Sequence, residues 1–346
     1  MTKNQISSIS EFLLHAGTDY RVFDMGRTIR ELPSQLFLNI ENASVKPQFP
    51  RAQHTWFGIV FWDKTRSSQQ YIWFVKLPID EQGLVVTAAR NHFLQIIVDA
   101  LGSQLENAEK SNGQLPDNPY TFVPNQQQLA DFNSISRRTL KLDYSQYYQA
   151  ALDYLKAPLV IDWQTLSLQG IADLAANVAE PEINELVLKQ FALLPQTVQF
   201  TLLISFENQP LNPAITQQIE KFIDSNSTDA VAWQHGLRAL SQTQGDSTKR
   251  MLEMALAAQV CNDHNTLEVI AGRLWQPLSE NNKLMNFMHK VAEADPTHSL
   301  FEAIFRDLVQ LPDSRDAMLA MLRSTDKSPA LTHAVGSLFS ATNRDN

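Results

Sequence analysis

The chain has 346 residues, 44% of them hydrophobic and 19% charged, with a formal net charge of −9. That apolar content is ample for burial, so composition excludes a disordered protein, and the length suggests two domains. One cysteine, Cys261, excludes an internal disulfide, and no apolar run reaches membrane-spanning length. The start of the chain, MTKNQISSISEFLLHAG, lacks the apolar core of a signal peptide. The expectation is a cytoplasmic protein without a membrane contact.

Ser10 opens a short helix that Gly17 stops, since glycine takes the left-handed conformation at a helix end without cost. Tyr20 to Met25 reads as a strand and Pro33 to Glu41 as a helix. His54 to Trp62 and Tyr71 to Leu77 are dense in aromatic and β-branched residues, which predicts an antiparallel hairpin around a polar loop, Asp63 to Gln70. Trp56, Val60 and Trp62 alternate with Phe57, Ile59 and Phe61, so both faces are expected to be buried. Leu84 to Leu101 follows as a helix ended by Gly102. Residues 1–102 thus make a small α+β domain, and 103–128, rich in Asn, Gln and Pro, read as a linker.

Helices are expected at Leu129 to Ser136 and Tyr144 to Lys156. From Asp162 to Phe339 apolar residues recur at helical spacing, in about eleven short helices. Asn212-Pro213, Asp295-Pro296 and Ser328-Pro329 each place a capping side chain before a proline, and Asp162, Asp246 and Ser279 are further caps. The segment Val198 to Phe206 alternates like a strand, but it lies between helices and is expected to be a buried helix. Successive starts fall roughly 15–18 residues apart, which fits an all-α helical-repeat domain over 129–346, an irregular HEAT/armadillo-like α-solenoid. An ordinary globular helical domain is the alternative, because no repeat consensus is present.

The charge is uneven: residues 1–158 hold 15 basic and 15 acidic side chains, and 159–346 hold 13 and 22. An acidic half repels nucleic acid and anionic lipid, so neither is expected as a partner. The glycine-rich loops of nucleotide binding, a Gly-x-Ser-x-Gly elbow and paired histidine ligands are all missing, so no cofactor or metal is expected. Cys261, Asp263 and His264 lie close together in sequence but read as an interhelical loop. Two basic spots beside aromatic residues remain: Lys64 and Arg66 near Tyr71, and Arg137-Arg138 with Lys141 beside Tyr144. Arginine with aromatics is common at protein–protein hot spots, so Lys64, Arg66, Tyr71, Arg137, Arg138 and Tyr144 are the candidate partner-binding residues.

The N-terminal Asp19 to Arg27 (Asp-Tyr-Arg-Val-Phe-Asp-Met-Gly-Arg), the aromatic pair at Trp56–Trp62 and Tyr71–Leu77, and the long helical tail resemble an uncharacterised gammaproteobacterial family of soluble proteins, a domain of unknown function. The resemblance implies a bacterial cytoplasmic protein and supplies no activity, cofactor or catalytic residue. The expected function is a protein-binding scaffold presenting an acidic helical-repeat surface, in an oligomeric state left open. The alternative is an enzyme whose site lies in residues 1–101 or at the domain junction, with Arg27, Arg30, His54, Asp63, His92 and Asp99 as candidates.

Overall fold

A computed structural model describes residues 7–63, 69–106, 116–243 and 245–342. The chain divides into two compact units, Met1–Asn125 and Gln126–Asn346.

The first unit contains α1 (Ile9–His15), β1 (Thr18–Asp24), β2 (Arg30–Leu32), α2 (Ser34–Glu41), β3 (His54–Asp63), β4 (Gln70–Pro78) and α3 (Thr87–Glu106). The four strands form one antiparallel sheet in the order β2-β1-β3-β4. Val22 lies opposite Ile59, which lies opposite Trp73, so one face gathers Val22, Phe57, Ile59 and Val75. That face buries Phe37 and Ile40 of α2 and Phe93 and Ile97 of α3. Phe37 meets Phe57 edge to face at 5.0 Å. Glu41, fully buried, accepts the Ile9 and Ser10 backbone N–H groups at 2.6 and 3.1 Å, so the end of α2 caps the start of α1.

The hairpin forms as expected, but burial of both its faces does not hold. Ile72 is 42% exposed and Trp56 and Trp62 are half-buried. Trp56 and Phe74 instead pack on Phe122, at 4.8 and 5.6 Å, where residues 120–122 run along the outer edge of β4. Lys76 donates its backbone N–H to Tyr120 at 2.8 Å, and Phe122 donates to Phe74 at 3.2 Å. The three-residue β2 is too short to leave a periodic signal. The α3 helix starts late because Val85 is bridged to Ile79, and it runs through Gly102, since one glycine weakens a helix without ending it. The stretch read as a linker holds the end of α3, the segment beside β4 and the first residues of the next helix.

The second unit is all helical among its described residues. It contains α4 (Gln126–Thr139), α5 (Tyr148–Lys156), α6 (Leu168–Ala176), α7 (Pro181–Gln190), α8 (Gln196–Phe206), α9 (Pro213–Ser225), α10 (Ala230–Ala239), α11 (Asp246–Ala257), α12 (His264–Arg273), α13 (Asn281–Ala294), α14 (Ser299–Leu308), α15 (Pro312–Arg323) and α16 (Pro329–Thr342). The ambiguous segment is α8, with Val198, Leu202, Leu203 and Phe206 buried. Asn212 caps α9 through the Ile215 N–H at 2.9 Å, with Pro213 at the first helical position. Ser328 accepts from Leu331 N–H at 3.3 Å ahead of α16.

Three expected caps differ. Asp295 does not open a helix at Pro296. Its carboxylate gathers Thr297, Ser299 and the Leu300 N–H in a turn, and α14 starts at Ser299. Asp246 is the first residue of α11, not its cap, and Ser279 ends a short 3-10 turn before α13. Asp162 caps a 3-10 turn, accepting from Gln164 at 3.0 Å.

Alternate helices pack on one another: α4 on α6, α6 on α8, α8 on α10, α10 on α12, and likewise α5 on α7 and α7 on α9. Buried polar groups bridge the first of these rows. Asp131 of α4 accepts from Asn208 at 3.3 Å, and Glu207 accepts from Arg238 of α10 at 2.9 Å and Arg273 of α12 at 2.8 Å. A buried ion pair of this kind adds little net stability, but misplacing one partner is costly, so it fixes which residues meet. No helix among the described residues is long and apolar enough to cross a membrane.

Candidate functional site

The last turn of α4 builds the site. Leu142 N–H donates to Arg137 O at 2.9 Å and Lys141 N–H to Arg138 O at 3.1 Å. These two bonds are the helix-ending pattern in which one residue turns left-handed, a place usually held by glycine. Here Lys141 takes it, with φ +55°. The chain then runs through Leu142 to Tyr147 before α5 begins. The expected start at Tyr144 is four residues early, because Arg137 holds this turn open. Its Nε donates to Asp143 O at 2.8 Å and its Nη2 to Tyr144 O at 3.5 Å.

Between this turn and the C-terminal end of α6 lies a cleft of about 290 Å³. Arg137, Arg138, Lys141 and Tyr144 line one side, and Asp173, Asn177 and Glu180 the other. Arg138 donates through Nη1 to Ala176 O, and to Gln209 Oε1 at 2.8 Å. The Tyr144 hydroxyl donates to Glu180 Oε1 at 2.7 Å, and its ring stacks on Tyr148 at 3.9 Å. That hydrogen bond to Glu180, followed by burial, raises the Tyr144 pKa and keeps the phenol protonated. Asp173 is buried and accepts from Ser134 Oγ at 2.6 Å, from Ser145 Oγ, and from Gln169 Nε2 at 3.0 Å.

None of the ion pairs among the described residues involves Arg137, Arg138 or Lys141. Neutral acceptors orient both guanidinium groups, and the Glu180 carboxylate across the cleft acts on Arg138 through space. Leu142 is 38% exposed, and Tyr144 and Tyr147 are each 45% exposed. The cleft therefore offers cations beside aromatic and aliphatic surface. The serine hydroxyls that line or border it point at Asp173, with no imidazole among the lining residues to activate them.

Of the six candidate residues, Arg137, Arg138 and Tyr144 meet here. Tyr71 belongs to the first unit, where it is 48% exposed and stacks on Phe61 at 5.6 Å. Lys64 and Arg66 lie outside the described residues. Sequence spacing exposed one side of the cleft, since Arg137 to Tyr144 are neighbours. It could not find Asp173, Asn177 and Glu180, which arrive on α6 and the turn that follows it.

The six enzyme candidates do not meet at one site. Arg27 and Arg30 lie near Asp24, a buried carboxyl that accepts Gly26 N–H at 2.8 Å. Burial raises Asp24 to about 7, against the pull of that N–H and of Arg30, Arg27 and Arg51. Arg30 lies over the Phe49 ring at 4.6 Å. His54 and Asp63 sit at opposite ends of β3, about 30 Å apart at the rise of a strand. His92 bonds Tyr120 Oη at 3.0 Å and Asp99 accepts from Gln95 at 2.7 Å. Cys261 is buried, which pushes its thiol up to about 11, while Asp263 caps α12 and His264 reaches Ala294 O at 3.1 Å. Among the described residues no group of His, Cys, Asp and Glu side chains is placed to hold a metal ion.

A family model described as a protein of unknown function (DUF3549) matches residues 4–339. No curated protein and no solved structure matches the chain.

Proposed function

The chain therefore belongs to the DUF3549 family, whose description carries no activity, and we propose that it is a protein-binding scaffold whose partner seats in the cleft between α4 and α6. The observation that carries this reading is the meeting of Arg137, Arg138 and Tyr144 around one cleft, with Tyr147 and Leu142 exposed beside it. Tyrosine and arginine dominate interface hot spots because they combine large apolar area with directional donors.

The order of helix packing supports an irregular α-solenoid of HEAT/armadillo character for the second unit, since alternate helices stack in rows. Stacked pairs generate long surfaces, and this one carries the acidic excess of the chain. Stacked-helix architecture hosts many functions, so the cleft residues outweigh it as a guide to function. A cytoplasmic setting is supported by the single buried cysteine and by the lack of a membrane-length helix among the described residues. An enzyme sited in the first unit is the second reading, and the meeting of Arg27 and Arg30 near Asp24 is what favours it.

The test is affinity capture from native cytosol with the full chain as bait, comparing wild type with Tyr144→Ala and Arg137→Ala. The expected result is a stoichiometric protein retained by wild type and reduced about 30-fold in affinity by either substitution, the scale of a hot-spot residue. A partner retained equally by all three baits would place the interface elsewhere and sink the reading.

A further inference from the structure

We propose that the cleft between α4 and α6 binds a free α-amino acid, its carboxylate held from the side of Arg138 and Lys141 and its ammonium from the side of Asn177 and Glu180. The proposal goes beyond the protein-binding reading: it gives the cleft a small ligand of its own, and it holds whether or not a protein partner also seats there.

Three cations, Arg137, Arg138 and Lys141, and three carboxylates, Asp143, Asp173 and Glu180, line the opening. Their formal charges cancel, so a ligand of one sign alone gains from one side what it loses to the other. Yet the opposite charges do not close onto each other. Among the described residues no ion pair joins any of the six. Neutral partners hold them instead. Arg137 donates to the Asp143 and Tyr144 carbonyls, and Arg138 to Ala176 O and the Gln209 side chain. Asp173 accepts from Ser134, Ser145 and Gln169, and Glu180 from the Tyr144 hydroxyl. Asp143 lies on the exposed rim, where water and salt screen it. A positive and a negative side are thus fixed apart across one opening, and the field between them favours a molecule that carries both signs.

Open hydrogen-bonding positions mark where the two ends fit. Arg138 uses only its Nη1, and neither its Nη2 nor the Lys141 ammonium makes a hydrogen bond among the described residues. On the other side, Glu180 Oε2 and Asn177 Oδ1 accept none there. Donors on one side suit a carboxylate and acceptors on the other suit an ammonium with N–H groups; a quaternary amine would leave those acceptors unfilled. Because both sides are oriented before a ligand arrives, less entropy is lost on binding. Size narrows the class further. The cleft holds about 290 Å³, whereas pockets for drug-sized ligands run from about 300 to 1,000 Å³. It is small for a peptide and suits a single amino acid. Leu142 and the Tyr144 ring line the same opening and offer apolar surface to a side chain.

The experiment is a thermal-shift survey of the full chain with the common amino acids, one at a time. The amino acid that shifts most, its N-acetyl derivative and its methyl ester are then titrated by calorimetry. Lys141→Gln and Glu180→Gln are titrated in parallel, each checked for an unchanged circular dichroism spectrum. The expected outcome is saturable binding that weakens about tenfold or more when either the amine or the carboxylate is blocked. Glu180→Gln should cost about tenfold for the free amino acid and nothing for the N-acetyl derivative, and Lys141→Gln about tenfold for the free amino acid and nothing for the methyl ester. No shift with any amino acid, a blocked derivative that binds as well as the free one, or variants that weaken all three ligands alike overturns the proposal. The derivative comparison needs wild type alone, so it decides even where a variant fails to fold. Partner capture that depends on Tyr144 without amino-acid binding leaves the protein-binding reading standing, and amino-acid binding with partner capture equal in all baits sinks that reading alone.

Discussion

Lys141 holds a backbone conformation that glycine would adopt freely, and its replacement separates stability from binding. Lys141→Gly is expected to stabilise the second unit by about 1 kcal/mol, because the left-handed strain is relieved. Lys141→Ala keeps a Cβ and should gain nothing. Urea unfolding of the two variants checks this, and equal midpoints would remove the strain argument.

Two desolvated groups of the second unit, buried Asp131 and half-buried His235, set opposite pH dependences. Burial raises Asp131 from 3.8 to about 7, against hydrogen bonds from Ser205 and Gln127. Its folded state binds a proton that the unfolded state has lost, so this contribution is full below the unfolded pKa and fades as pH rises to about 7. Burial, helped by Arg238, lowers His235 from 6.5 to about 4, and its ring lies on Phe200 at 4.2 Å. Its contribution is full above 6.5 and fades as pH falls toward 4. Asp131→Asn should therefore flatten the loss of stability toward pH 7, and His235→Gln the loss toward pH 4. Unfolding midpoints across that range measure both, and parallel curves for wild type and variants would count against the assignments.

At the level of elements, close approach decides what sequence propensity does not. A Cβ on Gly170 would lie 2.7 Å from Tyr147 O and 2.9 Å from Ala151 Cβ, so α6 can reach α5 only with glycine there. Gly170→Ala should destabilise by about 1–3 kcal/mol despite alanine's higher helix propensity, because the obstruction is backbone. Gly272, near the end of α12, has nothing within 4 Å of the same position. Gly272→Ala should stabilise by up to about 1 kcal/mol. Thermal unfolding of the pair gives opposite signs if packing rules, and the same sign if propensity does.

The same scale explains the successes and misses along the chain. Helical spacing read α9 and α14 from their apolar stripes, and the Asn212-Pro213 start held because cap and proline act locally. Asp295-Pro296 carried the same local signal. It failed as a helix start because Thr297, Ser299 and Leu300 offered its carboxylate more hydrogen bonds in a turn. Against burial, these hold it down at about 2. The alternating apolar residues of α8 fit a helix once neighbouring helices surround them, because such a segment is buried on most sides.

For the molecule as a whole, each unit has a core of its own, so 1–125 and 126–346 made as separate fragments should each unfold cooperatively. Cutting within the second unit tests the stacked-row reading. In a solenoid each helix pair depends only on its neighbours, so 126–294 should keep a cooperative transition at reduced stability. Complete loss of helical signal on that truncation would favour a single globular helical core.

The amino-acid sequence by itself determined the class of each half, the positions of most helices, the hairpin and the basic-aromatic run from Arg137 to Tyr144. These are local: they depend on periodicities of two and 3.6 residues and on side chains adjacent in the chain. Only the tertiary structure decided that Lys141 turns left-handed, that neutral carbonyls orient Arg137 and Arg138, and that Asp173 and Glu180 close the cleft. The physical reason is that a cleft is made by residues distant in sequence. Their meeting depends on how α4, α5 and α6 pack, down to the single missing Cβ of Gly170, and no local pattern encodes that.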